Sequence, residues 1–563
     1  MSEIPGRAGR VSRGAGLGLL ALALLAGGCE QNPFVTHESD YGRRVALERL
    51  RRVEPLEINR YERPRDESPA TPTTPAPDRF AGLEEVRLGL EECRASALAN
   101  NLDLRVAMIE PTIAGERVNE EEGKFEAAFT LRASYRDLDS PTASQLASAQ
   151  SQTFVVEPGV RIPLRTGGTA SITLPSAMSE NNNPFSTLNP SYTNDLQFSL
   201  SHQLLRGAGR HVTMAPLRIA AFNRRATEAS TKLEVTRQLA AVDRAYWRLS
   251  QVRGELSVAQ QQYELAVAQQ ERAQRRVLAG ASPEIEVVRA QAGVAQRLEA
   301  ILVAQNNVLL QQRELKRVIN LPGLGVDSKA VVLPATMPDP VEYVFDRDAL
   351  LAHAMANRMD LLEIEMRLAT DAVNQAFARN QTLPLVSLDY TYRVNGLGGS
   401  VGDSFRTLKG NNFEDWELGL SAEIPLGNEE SRARLRQAML RRIQRLGSKE
   451  AREQSIRREV LDAIDTIDVS WQRILAARQS VILNTRAYQG EQRQFEVGAS
   501  TSTDVLDASA RLASAQFDEI RALTQYQIAQ VDLAFATGTL LGASRVEWEP
   551  APTPDERAAD PAP

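Results

Sequence analysis

The sequence has few of the residues that build small chemical sites. Its 563 residues include two cysteines, Cys29 and Cys93, which are too few for a disulfide framework. Its four histidines are scattered through the chain without the spacing of metal ligands. We therefore expect neither a disulfide-stabilised fold nor a metal site.

The chain also lacks a strong charge of either sign. Lys and Arg number 65 and Asp and Glu 72, which gives a net charge of −7. This balance excludes a basic nucleic-acid surface. The glycine pair Gly207 and Gly209 lacks the rest of a dinucleotide fingerprint. We expect no cofactor, no nucleic-acid partner and no enzymatic activity.

Long hydrophobic runs are missing as well. No apolar run reaches the roughly 18 residues of a transmembrane helix. The sequence therefore excludes an α-helical membrane protein. It does not exclude a β-barrel, whose strands give only a weak signal.

The N-terminus has the pattern of a targeting segment, and residues 1–28 are predicted to be a signal peptide. Three arginines precede a short apolar run, Leu17 to Ala26. The run ends in Leu25-Ala26-Gly27-Gly28-Cys29, which resembles the bacterial lipoprotein cleavage box and implies that Cys29 becomes the acylated first residue. The alternative is an ordinary signal peptide with a cysteine nearby. Residues 29–80 follow as a proline-rich tether, and residues 546–563 as a disordered tail.

One stretch of the chain occurs twice, at a constant offset of 218 (498 − 280). The copies run from Gly280-Ala281-Ser282 to Asn320 and from Gly498-Ala499-Ser500 to Gly538. Each passes a polar turn, meets an acid and a valine, and continues for some thirty residues without proline. Glycine tolerates φ > 0 and serine can cap a helix. The two Gly-Ala-Ser segments are therefore predicted to be the tips of two helical hairpins.

The chain upstream of each tip repeats too. Residues 97–104 match 354–361 at an offset of 257, whereas residues 200–204 match 420–424 at an offset of 220. The repeat unit reads helix, strand, strand, long helix, tip, helix, and the two repeats are assigned to residues 81–335 and 336–545. The first repeat carries about 37 extra residues between its strands (257 − 220). We expect this polar region, Ser140 to Ser191, to form a strand hairpin or cell-surface loop beyond the rim of a barrel.

Two uninterrupted stretches predict very long helices. Leu217 to Ala279 contains one glycine and no proline, and Glu429 to Val497 is broken only by two glycines. Their apolar residues follow alternating four- and three-residue steps, which is the heptad pattern of coiled coils. Between the helices lie alternating apolar and polar runs that predict two strands per repeat and four per chain. Four such strands leave exposed edges, so oligomerisation into a closed barrel is the economical arrangement.

Residues 83–542 resemble the outer membrane efflux proteins, the TolC-type channel-tunnel family with its lipidated members. The resemblance rests on the doubled Asn-x-x-Leu helices, on Thr382-Leu383-Pro384, on residues 203–209, and above all on residues 495–507 around the second tip. It implies a mostly α-helical fold with a membrane β-barrel. Three chains would contribute four strands each to a shared twelve-stranded barrel, and twelve helices to a periplasmic α-barrel.

The resemblance also implies where the pore narrows. The family's Asp-Val-Leu-Asp carboxylates line the periplasmic entrance, and they match Asp504 and Asp507, with Glu286 as the counterpart in the first repeat. The alternative is that these acids favour a helix N-terminus through its dipole. Where the family's best-known member has an arginine and a tyrosine that hold the entrance closed, this chain has Ser500 and Phe495.

The function implied is passive conduction. The protein would be the outer-membrane exit duct of a tripartite efflux or type I secretion system. It would be a homotrimer, lipid-anchored in the bacterial outer membrane and extending into the periplasm. A periplasmic adaptor that packs on the tips (Gly280, Ala281, Ser282, Gly498, Ala499 and Ser500) would connect it to an inner-membrane transporter. The alternative is a lipid-anchored periplasmic coiled-coil structural or adaptor protein without a pore.

Overall fold

The structure is a computed structural model, and it describes residues 78–142 and 148–548. The predicted signal peptide, Cys29, the tether up to residue 77 and the tail from residue 549 lie outside the described residues. The described residues all belong to one compact unit, residues 72–563.

The first repeat contains a short strand, three helices, six strands and three further helices. In chain order these are β1 (Glu85–Leu88), α1 (Leu90–Asn100), α2 (Leu102–Ala107), α3 (Glu110–Gly123), β2 (Ala128–Asp139), β3 (Gln150–Leu164), β4 (Gly168–Thr173), β5 (Ser176–Asn181), β6 (Ser191–Asn194), β7 (Leu196–Gln203), α4 (Arg210–Thr213), α5 (Ala215–Leu278) and α6 (Ile285–Ile319).

The second repeat has the same order of elements with fewer strands. Its elements begin with β8 (Val331–Pro334), five residues before the boundary assigned from the sequence (336 − 331). They continue with α7 (Arg347–Asn357), α8 (Met359–Asn380), β9 (Leu385–Val394), β10 (Leu397–Gly398), α9 (Val401–Gly410), β11 (Glu414–Glu423), α10 (Glu429–Glu496), α11 (Ser502–Ala536) and α12 (Leu540–Ala543). Strand β8 pairs in parallel with β1, which joins the start of the second repeat to the start of the first.

The two predicted long helices are confirmed. Helix α5 has 64 residues and α10 has 68, and their ends lie within two residues of the predicted bounds. The heptad pattern faces the core in both helices, because Leu239, Val242 and Tyr246 of α5 and Ile456 and Val460 of α10 are almost completely buried. Among the helices of the described residues, none is long and apolar enough to cross a membrane.

The helices form a layer that is four helices wide. In the half of the layer nearer the tips the order is α6, α5, α11, α10, and in the half nearer the strands it is α3, α5, α8, α10. Gly254, in the middle of α5, explains how closely α11 approaches. A Cβ at this position would lie 3.3 Å from side-chain atoms of Ile520, so glycine leaves room for the isoleucine.

The strands form an antiparallel meander of six, where the sequence predicted four. The order across the sheet is β2, β3, β4, β7, β9, β11, and β5 and β6 extend β4 and β7 in the same direction. The extra residues of the first repeat supply β3, β4 and β5. The strand hairpin expected for Ser140 to Ser191 is therefore present, but its expected place beyond the rim is wrong, because β4 lies inside the sheet between β3 and β7.

The register gives the sheet one apolar and one polar face. One row of directly paired residues is apolar and reads Phe129, Val160, Ile172, Phe198, Tyr392 and Trp416. The adjacent row points to the opposite face and reads Thr130, Gly159, Thr173, Gln197, Arg393 and Asp415. Because side chains alternate along a strand, each face keeps its character along the strands.

Candidate functional site

Both hairpin tips are closed by the same backbone motif. After α5, the amides of Gly280 and Ala281 donate to the carbonyls of Val277 and Arg276, at 2.9 Å each. After α10, Gly498 and Ala499 repeat the pattern with Phe495 and Gln494, at 3.1 and 2.8 Å. These paired bonds satisfy the last carbonyls of a helix and need a left-handed residue, which glycine supplies with φ of +69° and +80°. The predicted tip glycines therefore form the turns of both hairpins.

The tip serines do not cap the helices that follow them. Helix α6 begins after Glu284 without a side-chain cap, so Ser282 has no capping role. Helix α11 is capped by Thr501, whose hydroxyl accepts a bond from the amide of Asp504. Ser500 instead donates from its hydroxyl to Glu491 at 3.0 Å. The expectation that serine caps the returning helix is wrong, because in both hairpins the helix starts at least one residue later.

Asp504 is bound to the start of its own helix. Its Oδ2 accepts from the amide of Thr501 at 3.0 Å and from the hydroxyl of Thr501 at 2.6 Å, which completes a capping box. These bonds favour the carboxylate, and they lower the pKa of Asp504 below its ordinary value. Asp507 lies one turn further along α11 and is exposed. Within one chain Asp504 therefore acts as a helix cap, and Asp507 carries the more available charge.

Glu286 joins the two hairpins. Its Oε2 accepts from the amide of Ser502, the first residue of α11, at 3.1 Å. Its Oε1 accepts from Arg289 at 2.8 Å, and its side chain is only 12% exposed. A carboxylate at a helix N-terminus satisfies an otherwise unpaired amide and complements the helix dipole. The counterpart acid of the first repeat is therefore mainly a contact between the hairpins.

A second contact between the hairpins involves Arg276, which the sequence did not single out. Its Nη1 donates to the carbonyl oxygen of Phe495, and its guanidinium lies 4.8 Å from the centre of the Phe495 ring. The ring is 5% exposed, so the cation stacks on a largely buried aromatic face. The sequence gives one indication of this residue, because a basic side chain in the last turn of α5 interacts favourably with the helix dipole.

Apolar packing continues this junction away from the tips. A Cβ at Gly293 of α6 would lie 3.0 Å from Leu506 of α11, so the leucine packs directly on the glycine backbone. Further along, Arg521 pairs with Glu255 at 2.8 Å. Among the described residues, no group of three or more His, Cys, Asp or Glu side chains is placed to hold a metal ion.

Comparison with known proteins gives a consistent result. The family model of outer membrane efflux proteins matches residues 350–539. The outer membrane protein TolC of Vibrio cholerae is 24% identical over 322 residues, which cover 56% of this chain and 72% of the relative. TolC of Escherichia coli is 25% identical over 308 residues, 53% of this chain and 60% of the relative.

Solved structures show the same fold. The structure of a membrane protein from Pseudomonas aeruginosa has a TM-score of 0.62 at 18% identity, and covers 84% of this chain and 99% of that one. The Campylobacter jejuni CmeC outer membrane channel has a TM-score of 0.60 at 16% identity, with 80% and 86% covered. The family match and the relatives support an outer membrane efflux protein, and the solved structures share its fold.

The channel-tunnel fold expected from the resemblance is confirmed, with long helices joined to a sheet. The family match spans the second repeat and includes the second tip, Asp504 and Asp507, whereas Glu286 and Arg276 lie outside it. The second tip thus lies inside the family match, and the contacts that the first tip makes with it become visible only in the structure.

Proposed function

We propose that this protein is a passive exit duct in the bacterial outer membrane, serving a tripartite efflux or type I secretion system. Three copies would enclose the duct, an inner-membrane transporter would supply the energy, and a periplasmic adaptor would join the two. No catalytic step is involved. The observation that carries this proposal is the sheet, which has one apolar face, one polar face and an open edge on each side.

The faces of the sheet fit a lipid boundary and a water-filled lumen. In a single chain the apolar face exposes large side chains, with Phe129 at 72%, Trp416 at 69% and Leu420 at 68%. In water such a surface is costly, whereas in lipid it is favourable. The polar face carries linked side chains, as where Ser201 donates to Asp389 at 2.6 Å. Strands β9 and β11 have 10 residues each, close to the length that a tilted strand needs to cross a bilayer.

The edges of the sheet and of the helix layer support closure by further copies. Within the described residues, β2 pairs only with β3 and β11 only with β9. Unpaired backbone groups are not tolerated in lipid, so β11 of one copy would pair with β2 of the next. The outermost helices also leave apolar residues uncovered, such as Leu440 and Ile443 of α10, exposed by 65% and 64%, and Val303 of α6, exposed by 55%.

The tips support an entrance with a docking site beside it. A cavity of about 290 Å³ lies between the hairpins and is lined by Arg272, Arg275, Arg276, Ala279, Ala281, Phe495 and Glu496. The adaptor would bind at these tips. Acylation of Cys29, outside the described residues, would add a lipid anchor at the same membrane.

The proposal is tested with purified full-length protein in planar bilayers and with two substitutions at neighbouring positions of β11. We expect a detergent-requiring trimer that conducts ions. Leu418→Arg puts a charge on the apolar face and should prevent insertion, because a charge near the bilayer centre costs roughly 2–4 kcal/mol. Glu417→Arg, on the polar face, should assemble normally and shift ion selectivity toward anions. A detergent-free monomer without conductance, or equal effects of the two substitutions, would favour a coiled-coil protein without a pore.

A further inference from the structure

We infer that all six strands belong to the conducting barrel, so that three copies close eighteen strands and the duct is narrowest at the helical tips rather than at the membrane. This inference rests on the trimeric duct proposed above. It concerns the bore of the duct, and hence the size of the cargo that can leave.

The added hairpin is built into the sheet on both sides. Strand β3 pairs with β2 over 12 residues, from Gln150 to Arg161. On its other side β3 pairs with β4 and β5. Strand β4 in turn pairs with β7 over six residues, Gly168 to Thr173. If the hairpin were removed from the sheet, β2 and β7 would each lose a hydrogen-bonded neighbour.

The turn of this hairpin, residues 165–167, lies at the helical end of the sheet. Arg165 pairs with Glu122 in the last turn of α3 at 3.1 Å. The carbonyl of Thr166 accepts from the amide of Gly209 at 2.8 Å. A Cβ at Gly167 would lie 2.3 Å from the carbonyl oxygen of Gly207, so the turn packs on the segment that leads into α5. A hairpin confined to the cell surface would have its turn away from the helices.

The hairpin has the two-faced pattern of its neighbours. Val160 and Ile172 lie in register with Phe198 on the apolar face, and they are 38% and 49% exposed in one chain. On the other face, Arg161 and Ser171 lie in register with Ser199. A segment surrounded by water has no reason to keep one face apolar, whereas a membrane strand does.

The stagger of the strands gives the geometry of the closed barrel. Following the pairings from Ala128 at the start of β2 leads to Glu417, and β11 continues for six residues (423 − 417) beyond this level to Glu423. A stagger of six residues over the five strand pairings within one chain becomes about seven residues when the sixth pairing, to the next chain, is included. Three chains therefore give a total stagger of about 21 residues around the barrel. Eighteen strands spaced about 4.8 Å apart would then tilt by about 39°, within the usual range of 35–45°. The backbone diameter is about 35 Å, against about 24 Å for twelve strands at the same tilt.

The wider barrel also matches the helices beneath it. Four helices side by side, at 8–10 Å each, occupy about 32–40 Å of circumference per chain. Six strands at this tilt occupy about 37 Å, whereas four would occupy about 25 Å. The bore therefore does not narrow where helices give way to strands. Cargo with a cross-section of about 20 Å, the class of compact polymers and folded peptide segments, would pass the membrane section once it has passed the tips.

The position of the turn is tested by cysteine labelling of intact cells with a maleimide-polyethylene glycol of about 20 Å hydrodynamic radius, which is too large to enter even the eighteen-stranded bore. Thr166→Cys should be labelled only after the outer membrane is permeabilised, and Thr187→Cys, in the connection between β5 and β6, should be labelled directly. The parent chain is the background control, since Cys93 is 1% exposed. Labelling of Thr166→Cys in intact cells would place the hairpin at the surface and overturn the inference.

The bore is tested with Ser199→Cys on the polar face and maleimide-polyethylene glycols added from outside. A polymer of about 10 Å hydrodynamic radius should react, since it fits an eighteen-stranded barrel and not a twelve-stranded one. A variant in which residues 140–195 are replaced by a four-residue turn should slow this reaction at least tenfold. If that variant does not fold, the full chain still decides: conductance together with exclusion of the polymer refutes the wide barrel, whereas absence of conductance refutes the duct itself.

Discussion

Arg276 is expected to hold the two hairpins of one chain together, and Arg276→Ala tests this most directly. The substitution removes the stacking on Phe495 and the bond to its carbonyl oxygen. A cation on an aromatic face contributes about 0.5–2 kcal/mol, and a charged hydrogen bond about 1.5–3 kcal/mol. Because Arg276 is partly exposed and the carbonyl also accepts from Gly498, we take about 2 kcal/mol for both together, close to a thirtyfold change in the equilibrium between joined and separated tips.

The separation of the tips can be measured without reference to conduction. Leu278 and Val497 sit at the two tips and are 82% and 81% exposed, so both positions accept a spin label without disturbing packing. We expect Arg276→Ala to lengthen and broaden the distance between the two labels. In planar bilayers the same variant should raise the open probability, since a looser tip leaves a wider entrance.

The matched control is Arg275→Ala, the neighbouring arginine. Arg275 is exposed, and its ion pair with Glu271 spans 3.7 Å between two exposed side chains, which contributes little. The control should leave distance and open probability unchanged. The reasoning is refuted if Arg276→Ala behaves like Arg275→Ala in both measurements.

Three further predictions concern single side chains. Asp504→Asn should lower the Tm, whereas Asp507→Asn should leave the Tm unchanged and weaken block by a trivalent cation. Because the folded pKa of Asp504 is depressed, its contribution to stability should be present above about pH 4 and lost as the pH falls through the folded pKa. Equal Tm values for the two variants at neutral pH would contradict this prediction. Glu286→Ala should lower the free energy of unfolding by about 1–2 kcal/mol in a denaturant titration. Glu286→Gln should retain most of that stability, since an amide oxygen still accepts from the amide of Ser502. Equal stabilities of the two variants would mean that this hydrogen bond contributes nothing. Burial raises the pKa of the Cys93 thiol to about 12, so it should react with a thiol reagent at pH 8 only after denaturation, and rapid reaction of the native protein would show that this core is open.

The helices were predictable because their signals are local. A heptad pattern without proline fixes α5 and α10 to within two residues, and the glycine that closes each tip is required by the backbone motif itself. The faces of β7 and β11 follow from alternation within ten residues.

The added hairpin was not predictable, since its strands contain residues that usually argue against a strand. Pro158 and Pro163 lie within β3, and Pro175 separates β4 from β5. Proline removes a hydrogen-bond donor from a sheet, so the segment reads as loop. Its place between β2 and β7 depends on pairings that periodicity cannot reveal. The same holds for Arg276 with Phe495 and for Glu286 with Ser502, which are separated by 219 and 216 residues along the chain.

In both hydrogen bonds between the hairpins, the two repeats supply different kinds of group, which the duplication alone does not explain. In both, the first repeat supplies a charged side chain, Arg276 or Glu286, and the second repeat supplies a main-chain group, the carbonyl of Phe495 or the amide of Ser502. Main-chain groups at helix ends are present whatever the side chain, and they carry the partial charges of the helix dipole. These two hydrogen bonds therefore do not depend on the side chains of the second tip, whereas the stacking of Arg276 requires the ring of Phe495. The restraint on the tips is thus determined by the first repeat, while the second repeat supplies the exposed carboxylate, Asp507, next to it.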